Sequence, residues 1–459
     1  MAAWAAEAMR GVGLGDKRLE RRLLKLMGDL AARYAVSLPQ ACGDWAATKA
    51  AYRFFDNEAV DAALVRSGLA GATAARIEGL PVVLGMSDTT SLDYSGHPAT
   101  AGLGVLENRW RHGVLLHSVL AVSPDGVPLG VLWQQWWARE GEAGGQRATR
   151  KQRPTADKES QKWLTAEREA VAALAPETVV VTVGDRESDV FDLFAQPRRA
   201  GAHVLVRGSW DRRVEGPEQH LWAAAEAAPE AGRQEILVPG KDRLPERQAE
   251  VSVRFTTVAL CPPRGRPKGG AAVAMGVVLV REEAPPPGAK PLEWLLLTTL
   301  PVGNAEEAWR CVEWYRLRWL VERYHYVLKS GCAVEKLQLR TVDRLERALA
   351  CYSAVAWGVL WLTYNGRREP DAPASAVLAR EEWQALMCYA ARSAQPPAHA
   401  PTLGVAMREI AKLGGFLARK GDGEPGLAVI WRGLTRLHDI TTAYVIFRAE
   451  RGDDDVGNG

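Results

Sequence analysis

Two apolar, β-branched runs that each stop at an aspartate constrain this chain more than any other feature: PVVLGMSD at 81 to 88 and TVVVTVGD at 178 to 185. Both predict buried strands. Between them, VLLHSVLAV (114 to 122), a Pro-Asp-Gly turn at 124 to 126 and PLGVLWQQWW (128 to 137) continue a three-strand meander. A basic polar stretch, Arg147 to Lys162, then leads into a helix through about Leu174, and AHVLVRG (202 to 208) adds another strand after a short helix. The order β-β-β-α-β-α-β describes an α/β core with Asp88 and Asp185 at the C-terminal ends of its first and fourth strands.

A third carboxylate lies far downstream, in YRLRWLVERYHYVLK (315 to 329). On one helix, at about 100° per residue, Tyr315, Arg318, Glu322 and Lys329 fall within roughly 60° of one another. Leu317, Leu320, Val321, Tyr324, Val327 and Leu328 fill the opposite arc. Taken alone, the pattern is that of a solvated amphipathic helix. If the fold lays the two strands side by side with this helix above them, Asp88, Asp185 and Glu322 meet. Three oxygen donors without Cys or His favour a hard divalent cation, Mg²⁺ or Mn²⁺. Two such ions roughly 4 Å apart suit phosphoryl transfer.

The 459 residues, 47% of them hydrophobic, suffice for two to four domains. Net charge is only +3, so nucleic-acid binding must rest on local patches. The six scattered cysteines form no Cys-x-x-Cys pair, which argues against structural zinc and a disulfide scaffold and fits a reducing cytoplasm. No secretory signal is expected. The uncharged run from Ala348 to Gly366 is nearly long enough to span a bilayer, but its small and hydroxyl residues predict a buried core helix and no membrane association.

Residues 1 to 70 are expected to form a helical module. In KRLERRLLKLMGDLAARY, Leu19, Leu23, Leu26, Met27 and Leu30 keep helical spacing while Lys17, Arg18, Arg21, Arg22 and Lys25 crowd the other side. Lys49 and Arg53 sit among Tyr52, Phe54 and Phe55. Such faces are either solvated surface or DNA contacts. From about 210 to 303, EILVPG, EVSVRFTTVAL, AVAMGVVLV and EWLLLTTL are strand-like; the Pro/Gly/basic stretch at 262 to 270 is expected to be mobile. After about 370 the patterns are helical, and the final GDDDVGNG is expected to be disordered.

SDTTSLDY around Asp88, GDRESD around Asp185, and Tyr315, Arg318, Glu322 and Lys329 at their spacing together resemble the DDE cut-and-paste transposases of bacterial insertion sequences, in the branch with the Tyr-Arg-Glu-Lys signature. LGDKR, AYRF, KESQKWL (158 to 164) and AKLGGF (411 to 416) extend the similarity over most of the chain. The resemblance implies a ribonuclease-H-like catalytic core over 71 to 369, interrupted by a mostly β insertion, with a DNA-end-binding helical domain at 1 to 70 and a helical dimerisation domain at 370 to 459. It implies Asp88, Asp185 and Glu322 as catalytic metal ligands, with Mg²⁺ or Mn²⁺ in two sites. Tyr315, Arg318 and Lys329 would hold DNA-end phosphates. Trp294 would support a flipped base or else be a core residue, Trp319 would be a second stacking residue, and His325 would serve as a phosphate contact or structural group. The expected partners are transposon inverted-repeat ends, target DNA and a second copy of the chain. Two other readings of the same residues are a ribonuclease-H-like structure-selective nuclease and a domesticated DNA-binding protein.

Overall fold

The α/β pattern is realised in the computed structural model of the chain, which describes residues 11–139, 154–238, 246–264 and 271–450 together with Ala5, Ala8 and Met9. The segments expected to be mobile at 265 to 270 and disordered after 450 lie outside the described residues, as does the basic stretch from 147 to 153. The N-terminal helices are α1 (Lys17–Ala32), α2 (Leu38–Cys42), α3 (Trp45–Asp56) and α4 (Ala62–Ile77). Asp16 and Asp44 cap α1 and α3 by accepting from Arg18 N and Ala47 N, each at 2.7 Å. Leu23, Leu26, Met27 and Leu30 are buried as their spacing predicts. Helix α4 runs across residue 70, so the expected boundary falls inside an element.

The strands follow as β1 (Val82–Asp93), β2 (Gly104–Val105), β3 (His112–Val122), β4 (Pro128–Trp137), β5 (Val179–Gly184), β6 (Ala202–Arg207), β7 (Glu230–Val238), β8 (Arg247–Leu260), β9 (Val273–Glu282) and β10 (Glu293–Thr298). Helices α5 (Gln161–Ala172), α6 (Phe191–Ala195) and α7 (Leu221–Ala227) connect them. All ten described strands form one mixed sheet, ordered β2-β3-β1-β5-β6-β10-β9-β8-β7, with β4 on β3. Strands β1, β5 and β6 are parallel and the others antiparallel. The β insertion therefore extends the central sheet, because β10 pairs with β6 as well as with β9. Helix α4 can lie close on β4 because Gly130 has no side chain; a Cβ there would sit 2.1 Å from Thr73 Oγ1.

After the sheet come α8 (Ala305–Arg316), α9 (Trp319–Tyr326), a π-helical turn (Val327–Gly331), and then α10 (Val342–Arg368), α11 (Arg380–Ala391), α12 (Leu403–Leu413) and α13 (Leu427–Glu450). Helix α10 contains the uncharged run, and Ala348 to Leu360 is buried without a break. Among the described residues, no helix is long and apolar enough to cross a membrane. Arg347 on α10 donates to the carbonyls of Val60 and Phe55, at 2.7 and 3.0 Å, and Tyr34 donates to the carbonyl of Trp431 at 2.8 Å. One hydrophobic core thus runs from the N-terminal helices through the sheet into the C-terminal ones.

Candidate active site

Strands β1 and β5 run parallel, with Met86 level with Val183, so Asp88 and Asp185 stand two residues beyond on neighbouring strands about 4.8 Å apart. Asp88 does not end its strand as expected. Strand β1 continues to Asp93 because β3 pairs with it throughout, Asp88 opposite Ser118, while β5 stops. Asp185 does leave its strand. It caps the next turn by accepting from Glu187 N at 2.9 Å, and Gly184 permits that turn, since a Cβ there would lie 2.3 Å from Ser188 Oγ.

The stretch from Tyr315 to Lys329 is not one helix. Bonds from Leu317 N to Trp314 O and from Arg318 N to Tyr315 O tighten the chain into a turn between α8 and α9, and the π-helical turn inserts a further offset before Lys329. Despite the break, Arg318 stays beside both Tyr315 and Glu322. Tyr315 turns inward at 5% exposure, its ring edge-on to Trp294 with centroids 5.2 Å apart, and burial raises its phenol pKa. Arg318 forms an ion pair with Glu322. Lys329 donates to the Ser91 carbonyl at 2.9 Å and lies 3.4 Å from Glu335.

Burial pushes the Asp88 carboxyl up to about 7, with Asp185 and Glu322 adding to the effect and Arg318 opposing it. Asp88 therefore lies within electrostatic reach of both other acids. Among the described residues, however, no three His, Cys, Asp or Glu groups are gathered tightly enough to hold a metal ion. Glu322 is engaged by Arg318 instead. The donor set itself, all carboxylate oxygen, matches the requirements of a hard divalent cation.

His325 is not placed at a DNA surface. It is 4% exposed, Nε2 lies 3.1 Å from Ser118 Oγ, Nδ1 is 3.9 Å from an Asp88 oxygen, and burial drives its pKa down to about 3. An uncharged ring cannot act there as a phosphate cation. Trp294 is half-buried on β10, and Trp319 is 46% exposed on α9 with the Arg323 guanidinium 5.9 Å from its ring. In the N-terminal module Lys17, Arg18, Arg21, Arg22, Lys49 and Arg53 are all exposed.

Several residues around the site were invisible from sequence. His117, fully buried, bonds Ser87 Oγ at 2.9 Å and Thr89 Oγ1 at 2.7 Å and so clamps β1 on both sides of Asp88. Arg207 lies beside Tyr315. Lys162, inside the KESQKWL patch, sits between the rings of Trp137 and Trp163. Trp45, 77% exposed, shares a face of α3 with Lys49 and Arg53; its spacing of four and eight residues was the available signal.

Three family matches bear on this site. Residues 1–60 match a transposase DNA-binding family, residues 157–357 a transposase DDE domain, and residues 354–449 the transposase Tn5 dimerisation domain. The chain is a DDE transposase. The DDE match contains Asp185 and Glu322, whereas Asp88 lies in the interval from 61 to 156 that none of the three covers. The pairing of β1 with β5 supplies that connection. This transposase carries the DNA-binding and dimerisation units of its family on either side of the catalytic sheet, and the chemistry of the family is divalent-metal-dependent.

Proposed function

We propose that this transposase binds the inverted-repeat ends of its own element, pairs them as a homodimer, and cuts and rejoins DNA at Asp88, Asp185 and Glu322. The alignment of Asp88 with Asp185 across β1 and β5, under the helix that carries Glu322, carries the reading. The three carboxylates would hold two Mg²⁺ ions, with Mn²⁺ able to substitute; bound there, such ions supply Lewis acidity to the scissile phosphate. Arg318 and Lys329 hold the phosphates of the end in line, Arg318 through its planar fork and Lys329 as a point charge. Trp294, backed edge-on by Tyr315, receives a base unstacked at the end, which lets the 3′-hydroxyl of the first nick reach the opposite strand and close a hairpin. Trp319 supports a second base.

The units divide the work: the N-terminal helices grip the end through Lys17, Arg18, Arg21, Arg22, Lys49 and Arg53, the sheet with its acids cuts, and the C-terminal helices pair two copies. The reaction takes place on DNA in the cytoplasm of a bacterial cell. The test is substitution of each acid: Asp88→Asn, Asp185→Asn and Glu322→Gln should each abolish metal-supported cleavage of an end duplex while leaving its binding within about twofold of wild type, since basic groups and not the acids hold the DNA. Undiminished cleavage in any of the three removes that residue from the site.

A further inference from the structure

The turn joining β2 to β3 presents an aromatic side chain that none of the roles above uses. Trp110 is 74% exposed, with the Arg109 guanidinium 4.5 Å above its ring. The turn is braced: Leu106 N donates to Arg111 O at 2.9 Å, and Trp110 N donates to Asn108 Oδ1 at 3.0 Å. An indole capped by a guanidinium on a braced turn is a preformed stacking platform for a base, with a positive charge for the neighbouring phosphate.

Its place in the sheet decides which DNA it meets. Starting from β1, Trp294 on β10 lies three strands away through β5 and β6, about 14 Å, whereas the β2–β3 turn lies two strands away on the opposite side, about 10 Å. Both are at the same end of the sheet, because Trp294 lies two residues past the Leu296–Arg207 pair that ends β6, and His112 one residue past the Asp93–Gly113 pair that ends β1. The turn also adjoins Lys329: Ser91, whose carbonyl takes the lysine, donates its hydroxyl to Glu107 at 2.9 Å. The nearby acids are engaged, Glu107 by Ser91 and Asp93 by Ser95 and by Arg111 at 3.7 Å.

We infer that Trp110 and Arg109 bind the DNA on the far side of the cleaved phosphate from the transposon end. That DNA is the donor flank before cutting and the target during joining, and both pass the same three acids. The inference rests on the proposed function, because it takes Trp294 to mark the transposon side.

The test uses the full chain, its Trp110→Ala, Trp110→Phe and Arg109→Ala variants, and duplexes copying the element's own terminal repeat. In EDTA, one duplex stops at the cleavage point and another carries about twenty base pairs of flank; in Mg²⁺, pre-cut ends are joined to a plasmid. Trp110→Ala should bind the flankless end like wild type but lose about tenfold in affinity for the flanked end, in joining, or in both, a loss within the range that one base stack supplies. Trp110→Phe should restore most of it, and Arg109→Ala should show a smaller loss. Loss in the flanked arm alone assigns the platform to the donor, and loss in joining alone assigns it to the target; either supports the inference. An equal loss on the flankless end, or no loss in any arm, overturns it. If wild type binds neither end duplex, the proposed function has failed and the inference falls with it; if wild type binds and Trp110→Ala behaves identically, only the inference fails.

Discussion

Arg318 donates to Glu322 one helical turn away, so the guanidinium suited to a DNA phosphate and the third carboxylate of the site are spent on each other. A phosphate arriving at Arg318 would compete with Glu322 and release the carboxylate towards Asp88 and Asp185. Arg318→Gln should then bind Mn²⁺ more tightly than wild type in the absence of DNA, by titration, yet cleave an end about 100-fold more slowly because the phosphate loses its clamp. Unchanged Mn²⁺ affinity would show that the pair does not restrain Glu322.

The Asp88 carboxyl sets a pH dependence. Its folded-state pKa is raised, from 3.8 to about 7, chiefly by burial. Its stabilising contribution is therefore complete below about pH 4 and is lost as pH rises through about 7. Metal-free Asp88→Asn should be more stable than wild type at pH 8, by roughly 1 to 3 kcal/mol given that a three-unit shift corresponds to about 4 kcal/mol at most, and the gain should shrink at pH 5. Thermal melts at the two pH values measure it. Metal binding, which needs the ionised carboxyl, should tighten over the same range in wild type.

Trp294 and Tyr315 support each other, so the hairpin step should depend on both. Trp294→Ala should nick an end duplex nearly normally but accumulate the nicked strand on a denaturing gel, because stacking worth about 1 to 3 kcal/mol per base is lost. Removing the base at the unstacked position should restore hairpin formation in part. Hairpin at the wild-type rate would make Trp294 a packing residue only.

His117 makes a prediction of its own. Because one neutral imidazole holds both Ser87 and Thr89, His117→Ala should loosen β1 at Asp88, lowering Mn²⁺ affinity about tenfold or more as loss of an outer-shell partner does, without changing end binding. The readout is the Mn²⁺ titration set beside a DNA-binding curve.

The dimerisation unit cannot be tested cleanly by truncation near residue 370, since Leu403, Ile410, Ile430 and Leu434 are buried in the common core. Val445, Ile446 and Phe447 on α13 are exposed. Phe447→Glu should keep the melting temperature while weakening self-association about 30-fold, as loss of a central apolar anchor worth 2 kcal/mol does. Sedimentation over a concentration series reads this directly.

Much was legible in the chain itself. The strands around Asp88 and Asp185, the burial of α10, and the inward Leu and Met row of α1 follow from periodicity, because a side chain's face depends on local spacing. The family signature singled out the three acids as candidates because their chemistry restricts the residue types allowed. Local spacing could not tell that β1 runs on past Asp88, since its partner β3 decides that, nor that the Tyr315 to Lys329 stretch breaks into two helices and a π-turn. There the buried Tyr315 packs against Trp294 on β10, a contact across the fold that no helical repeat encodes. His325 and His117 were equally out of reach: whether an imidazole faces DNA or a serine depends on which strand lies beneath it. Sequence determined which residues could do the chemistry, through side-chain type and local period; only the tertiary structure decided which carboxylates, cations and aromatic rings share one edge of the sheet, because strand pairing brings together residues separated by hundreds of positions.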